Sequence, residues 1–397
     1  MRVAFISPEF VTEHGYDGGL ANYLYRAGLS LVQLGHEPHV IVTSDRDESF
    51  DLDGIRVHRV DVGPNWLHGL ARRIMRRYHP VFSILWQSFR LNRRLRRLHA
   101  QHPLALAQYS NYLATALFRP RAIPAVIRLS SLAPQWDRAY EREGPVGLAR
   151  LTSLLELRSI ANGRLLISPS RVLADAAEAV TGRAVRVVES PFVPISGELD
   201  SAIYLEHLST RRYALFFGTV GLMKGVKCLA EILEPLLEEH KDLYFVFVGK
   251  DAKYRGRPMF EYVLEQAGEH RDRVLYFDRM PHASLYPIIE HAETVVLPSR
   301  VDNFPNACLE AMSLGRIVVG TRGASFDQLI DDGVNGFLCE IDDRKSLLAA
   351  IERALATDRV DEIGARARAR IEELRPELAG ARLVGAYAEL LEEAALR

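Results

Sequence analysis

The residues best suited to chemistry lie in two loops of the second half of the chain. One reads Leu215-Phe-Phe-Gly218-Thr219-Val-Gly-Leu-Met-Lys224-Gly225, and the other reads Val295-Val-Leu-Pro-Ser-Arg-Val-Asp302-Asn303-Phe304-Pro305-Asn306-Ala-Cys-Leu-Glu310. Lys224 is the first lysine in the chain, set among apolar residues at the exit of a strand pattern. An ammonium there could meet a diphosphate. A plain surface lysine is awkward at that place, because a helix N-terminus repels cations unless an anion is bound. Pro305 suits a first helical turn, which puts Glu310 on a helical face with Asn306, Ala307, Ser313 and Leu314. A carboxylate on a mostly apolar helix must be solvated, paired or bonded to ligand hydroxyls. A ribose diol and an ion pair with a nearby arginine both satisfy it. A third loop, His14-Gly-Tyr-Asp-Gly18-Gly19-Leu-Ala, follows the first strand. Its two glycines let a backbone approach a ligand, and the amides of the helix they open could receive an anion. An ordinary glycine-rich turn is the competing reading.

These loops need strands behind them and helices after them, and the chain supplies both. Short β-rich runs alternate with amphipathic stretches from end to end, the pattern of parallel sheets covered by crossover helices. The class is α/β. Strands are expected at 3–7, 39–43, 55–60, 104–109, 125–130, 165–168 and 185–188, then at 213–217, 244–248, 274–277, 294–298 and 317–320. Glu189-Ser-Pro-Phe-Val-Pro and the polar stretch after it suit a connection between two domains. The expected division is 1–190, 191–375, and a C-terminal helix at 376–397 that crosses back toward the first domain.

Bulk properties narrow the setting. With 397 residues, 48% of them hydrophobic, the chain can bury two cores. Cys228, Cys308 and Cys339 match no zinc or redox spacing and suit a reducing compartment. The apolar N-terminal run is too short for a signal peptide, and no run approaches a membrane span, so a cytoplasmic protein is expected. Residues 1–190 carry 25 Arg against 17 acids, and the rest carry 25 basic against 34 acidic groups. Between 62 and 136 there are twelve Arg and no acid at all. Nine of those arginines, with Trp66, Tyr78, Phe82, Trp86 and Phe89, fall in segment 66–97. That stretch suits either peripheral contact with the anionic inner face of a membrane or the holding of an anionic acceptor. A solvated basic face is the plain alternative. No recognised nucleic-acid module accompanies it.

The sequence resembles the retaining glycosyltransferases of family 4, which have the GT-B fold: two Rossmann-like domains with parallel sheets facing across a cleft. DNFPNACLEAMSLG is similar to their Glu-x7-Glu signature. YDGGLANYLYRAGLSLVQLGHEPHVIV, ISPS, FFGTVGLMKG and GTRGASFDQLIDDGVNGFL extend the likeness over nearly the whole chain. The resemblance implies a polysaccharide-biosynthesis type of reaction, moving a sugar from a nucleotide-diphosphate donor to a glycan, lipid-linked or small hydroxyl acceptor. It implies no cofactor and no metal. Glu310 would grip the donor ribose, Asp302 would face the sugar, and Lys224 would neutralise the diphosphate. Asn303, Phe304, Pro305 and Asn306 would lie along the sugar and diphosphate, with Gly218 and Thr219 beside them and Gly18 and Gly19 closing from the first domain. Three residues depart from the pattern. Asp302 replaces the first glutamate, and Thr219 replaces an arginine, for which Arg279, Arg300 and Arg322 are the candidate substitutes. Ser130 stands where a histidine is usual, two residues from Arg128, so Arg128 and Ser130 are the acceptor-side candidates. A dehydrogenase is disfavoured, since no G-x-G-x-x-G follows the first strand. A non-catalytic protein binding sugar nucleotides or glycans is the remaining alternative.

Overall fold

The computed structural model describes residues 1–13, 18–63, 76–132, 147–194 and 197–395. Two compact units divide them. One takes the described residues up to 193 and resumes at 374, and the other takes those from 194 to 373.

The first unit is built on an eight-stranded sheet. Its strands are β1 (Arg2–Ser7), β2 (Glu37–Ser44), β3 (Glu48–Leu52), β4 (Ile55–Asp61), β5 (Leu106–Ser110), β6 (Ala125–Arg128), β7 (Leu165–Ser168) and β8 (Arg186–Val187), in the order β3-β4-β2-β1-β5-β6-β7-β8. Every pairing is parallel except β3 with β4. That antiparallel edge strand is a departure from the sequence reading. Its residues, Glu-Ser-Phe-Asp-Leu, lack the β-branched run that marks the others. The hairpin signal is instead Asp53-Gly54, both at positive φ, as a two-residue type I′ turn requires.

Both faces of this sheet are covered, as parallel sheets demand. Leu91, Leu95 and Leu98 of α2 (His79–Gln101), Ile160 of α3 (Leu148–Ala161) and Leu173 and Ala177 of α4 (Arg171–Thr181) pack on Ile6, Ile41 and Ile127. On the other face, Tyr23, Leu24 and Leu31 of α1 (Gly19–Gln33) meet Phe5, Val40 and Val57.

The second unit repeats the scheme with six strands. They are β9 (Arg212–Phe217), β10 (Leu243–Val248), β13 (Val274–Phe277), β14 (Thr294–Leu297), β15 (Val318–Thr321) and β16 (Phe337–Cys339), ordered β13-β10-β9-β14-β15-β16 and all parallel. A separate hairpin holds β11 (Lys253–Tyr254) and β12 (Arg257–Pro258). Three-residue β16 was not expected, because a strand so short carries no periodicity. The helices that matter below are α5 (Val226–Ala230), α6 (His282–Glu290) and α7 (Asn306–Ser313).

The last helix, α8 (Pro376–Ala395), belongs to the first unit and lies along α1. Their axes approach closely at Gly380, where a Cβ would come within 2.8 Å of the Ser30 side chain. Leu383, Ala386, Tyr387 and Leu390 complete the core on that side.

A histidine pair sits under α2. His39 Nδ1 and His58 Nε2 are 3.0 Å apart with stacked rings, Arg94 Nη2 donates to His58 Nδ1 at 3.0 Å, and Ser49 Oγ lies 2.9 Å from the same nitrogen. Burial pulls the His58 pKa down to about 3, with Arg94 adding to it, and the His39 pKa down to about 4. Both rings are therefore neutral in the folded chain at pH 6.5, where the unfolded chain begins to take protons. Stability should be fully present above that pH and fall as acidity rises through pH 4. Thermal melts of the wild type and of a His39→Leu/His58→Leu variant between pH 7 and 4 should show the shallower slope in the variant.

Candidate functional site

Strand β9 lies between β10 and β14, so the chain turns in opposite directions from β9 and β14. Ligands in open parallel sheets bind at such a switch point, beyond the carboxyl ends of the strands. The loop after β9 holds Gly218 to Gly225 and the loop after β14 holds Pro298 to Pro305. Neighbouring strands bring these two loops together.

Their contact is close. Arg300 N–H donates to the Met223 carbonyl at 3.0 Å. Gly225 has φ 72°, and a Cβ there would lie 1.7 Å from the Pro298 carbonyl oxygen. Only glycine fits, on both counts. Thr321 Oγ1 donates to the Ser299 carbonyl and Ser325 Oγ to the Asp302 carbonyl, which fixes the second loop from behind.

The docked loops set Lys224 against Asp302. The ammonium lies 2.5 Å from Asp302 Oδ2, while Asp302 Oδ1 accepts from the Asn303 amide at 2.9 Å. The lysine is therefore held by a carboxylate. Asp302 is 14% exposed and Lys224 38%, so water and ligands reach the lysine more easily. Thr219 is exposed, Gly218 half-buried at φ 129°, and Asn303, Phe304 and Asn306 are half-buried.

Helix α7 starts one residue later than its proline suggested. Pro305 is the N-cap, has no side chain to bond the first amides, and is buried. Those amides point out of the helix end and give it partial positive charge. Glu310, one turn in, is 6% exposed. Its Oε1 faces His282 Nε2 at 3.4 Å, so its neighbour is a histidine and not the arginine weighed from the sequence. His282 opens α6 after β13, at the same strand ends. His282 lies outside the three loops singled out in the sequence, although its position after a strand is a signal for it. Of the arginine substitutes for Thr219, Arg300 pairs with Asp342, and Arg322 with Asp332 and Glu340.

In the first unit, Gly18 is the N-cap of α1 and both it and Gly19 are exposed; residues 14–17 lie outside the described set. Arg128 ends β6 and is buried. Its guanidinium lies 3.4 Å from the Tyr23 ring centroid and donates to Ser130 Oγ and Ser190 Oγ at 3.1 and 2.9 Å. Ser130 N–H donates in turn to Asn111 Oδ1. Gln108 donates to Tyr23 and accepts from Tyr387. Burial draws the Arg128 pKa below the usual guanidinium value. Among the described residues no three His, Cys, Asp or Glu are grouped as metal ligands would be.

The loop junction is open to a direct test. Gly225→Ala introduces both an overlap and a strained φ, and should destabilise the chain by about 1–3 kcal/mol. Denaturant unfolding of the variant measures this, and an unchanged midpoint would mean the loops are not packed as described.

Comparison with known proteins adds the family. Residues 18–191 match the model of the "Glycosyl transferase 4-like domain" and residues 211–357 that of "Glycosyl transferases group 1". An alpha-D-kanosaminyltransferase of Streptomyces kanamyceticus is 30% identical over 46% of this chain. A D-inositol 3-phosphate glycosyltransferase of Xylanimonas cellulosilytica is 30% identical over 44% of it. These matches span 47% and 42% of the relatives' own lengths, less than half of either. The solved sucrose-phosphate synthase of Thermosynechococcus elongatus has a similar fold at 17% identity, with a TM-score of 0.74 over 99% of both chains. With both of its sheet units matched by glycosyl transferase models and its fold shared with such enzymes, the chain belongs to the group 1, family 4 glycosyltransferases of GT-B fold.

Proposed function

We propose that the protein transfers a sugar, with retention of configuration, from a nucleotide-diphosphate sugar to a hydroxyl of a glycan, lipid-linked or small-molecule acceptor. The observation that carries this is the grouping of Lys224, Asp302, Glu310 and the N-terminus of α7 at one switch point. Breaking a glycosyl–phosphate bond loads charge on the leaving diphosphate, and fixed donors aimed at it supply most of such catalysis. Lys224 and the positive N-terminal end of the α7 dipole supply the charge at this point. In this reading Asp302 keeps the ammonium extended until phosphate arrives and then faces the sugar. Glu310 accepts from the ribose diol, with Asn303, Phe304 and Pro305 lining the sugar and Gly218 and Thr219 the phosphates. Gly18 and Gly19 offer the amides of α1 to an anion. No metal is needed, because lysine and helix ends supply the positive charge.

Arg128 and Ser130 serve the acceptor side. A guanidinium buried among hydroxyls and an aromatic face, rather than against a carboxylate, keeps its charge available to an anionic or hydroxylic group. The protein works in the cytoplasm. No helix among the described residues is long and apolar enough to cross a membrane. Peripheral contact through the basic stretch 66–97 remains part of the proposal for its described residues, 76–97.

The rival reading is a non-catalytic sugar-nucleotide or glycan binder, favoured by the neutralisation of Lys224 by Asp302. Both readings expect a thermal-shift panel of nucleoside diphosphates and their sugars to raise the melting temperature with the cognate nucleotide, by mass action, and measured transfer separates them. Lys224→Ala should then lower kcat about a hundredfold, roughly 3 kcal/mol, at unchanged fold. A chelator should leave transfer unaffected, and donor hydrolysis or transfer absent from every donor and acceptor mixture would sink the enzymatic reading. Arg128→Met should leave the melting temperature level or higher, since it removes a buried charge, while transfer falls. Unchanged transfer in that variant would remove Arg128 from the acceptor side.

A further inference from the structure

The C-terminal half of α2 carries arginines in a pattern that the donor reading does not use. Arg90, Arg93, Arg94 and Arg97 fall on one side of the helix and, with Arg59, Ser49, Asp47 and Glu48, line a pocket of about 510 Å³ beside the β3–β4 edge. The carboxylates in it are committed. Glu48 pairs with Arg59 at 2.7 Å and Arg46 at 3.1 Å, and Asp47 with Arg90 at 3.4 Å. Arg93, Arg94 and Arg97 have no carboxylate partner among the described residues.

Arg94 is the most informative of them. Its Nη2 donates to Ser49 Oγ at 2.9 Å and to the neutral His58 ring at 3.0 Å, so both of its partners are uncharged. Its Nε is buried with no partner at all. A buried donor left unbonded is costly. Arginines three and four residues apart also repel one another along a helix. The helix dipole offsets this only in the last turn, beyond Arg93 and Arg94. A solvated basic face accounts for neither the concavity nor the buried Nε. Guanidinium groups converging from several positions match the oxygens of a phosphate through paired N–H donors.

We propose that this pocket is a binding site for a phosphate or diphosphate group, carried either by a phospholipid headgroup or by a free phosphorylated molecule. It lies in the first unit and shares no residue with the donor site, so either assignment can fail without the other.

Calorimetric titration of the full chain with inorganic pyrophosphate at physiological ionic strength, and flotation with phosphatidylglycerol vesicles, test it together. At least one probe should bind the wild type and the Lys224→Ala variant alike, and should bind an Arg93→Ala/Arg97→Ala variant at least tenfold more weakly. Binding of vesicles alone assigns the phosphate to a lipid, and binding of pyrophosphate alone assigns it to a soluble ligand. An Arg93→Lys/Arg97→Lys variant keeps the charge without the paired donors and should recover only part of the affinity. The proposal is overturned if neither probe binds, if the alanine pair binds as tightly as the wild type, or if binding is lost only with Lys224. Full recovery by the lysine pair would also overturn it, since a diffuse basic field needs no arginine.

Discussion

The contact between Lys224 and Asp302 is the interaction on which the candidate site depends. It exists because β9 and β14 are neighbours, which places the loops that follow them in register at one end of the sheet. It also requires Gly225, since any side chain there would force the first loop away from the Pro298 carbonyl. Removing either charge would leave the other partly buried and uncompensated. The short side chain of Asp302 has a specific use in this setting. One oxygen bonds the adjacent backbone amide at Asn303 while the other meets the ammonium, so the carboxylate stiffens its own loop as it holds the lysine. The family pattern has glutamate at this point. With one more methylene, the carboxylate would be carried away from its own backbone.

The first unit organises its charge differently. Arg128 is enclosed by an aromatic ring and two serine hydroxyls, and the ring belongs to a chain of hydrogen bonds from Tyr23 through Gln108 to Tyr387. Tyr387 lies on α8, more than 250 residues along the chain from Gln108. The terminal helix is thus part of the support for the strand ends of the first sheet. Such networks are rigid when satisfied, and they hold polar groups in place before a ligand arrives. On the opposite face of the same sheet, the neutral histidine pair and the arginines of α2 make a second polar region inside an otherwise apolar layer.

Much of this was legible in the residues. Strand and helix alternation gave the α/β class, because buried parallel strands are nearly continuous apolar runs. The two site loops stood out through Lys224 and through Glu310 on an apolar helix. The edge strand β3 and the short β16 were not legible. One is half polar because its edge faces water, and the other is too brief for a period to register. His282 was also missed, since a histidine at a helix start looks like any surface residue until its neighbour is known.

The sequence by itself determined which side chains were available and which loops carried them, because local periodicity and turn chemistry act within a few residues. It did not determine the pairings. That Lys224 meets Asp302, that Glu310 meets His282 instead of an arginine, and that Arg128 is enclosed by Tyr23 and Ser190 followed from strand order and helix packing. Those contacts join residues between 28 and 105 positions apart, and only the burial of two apolar sheet faces brings them together.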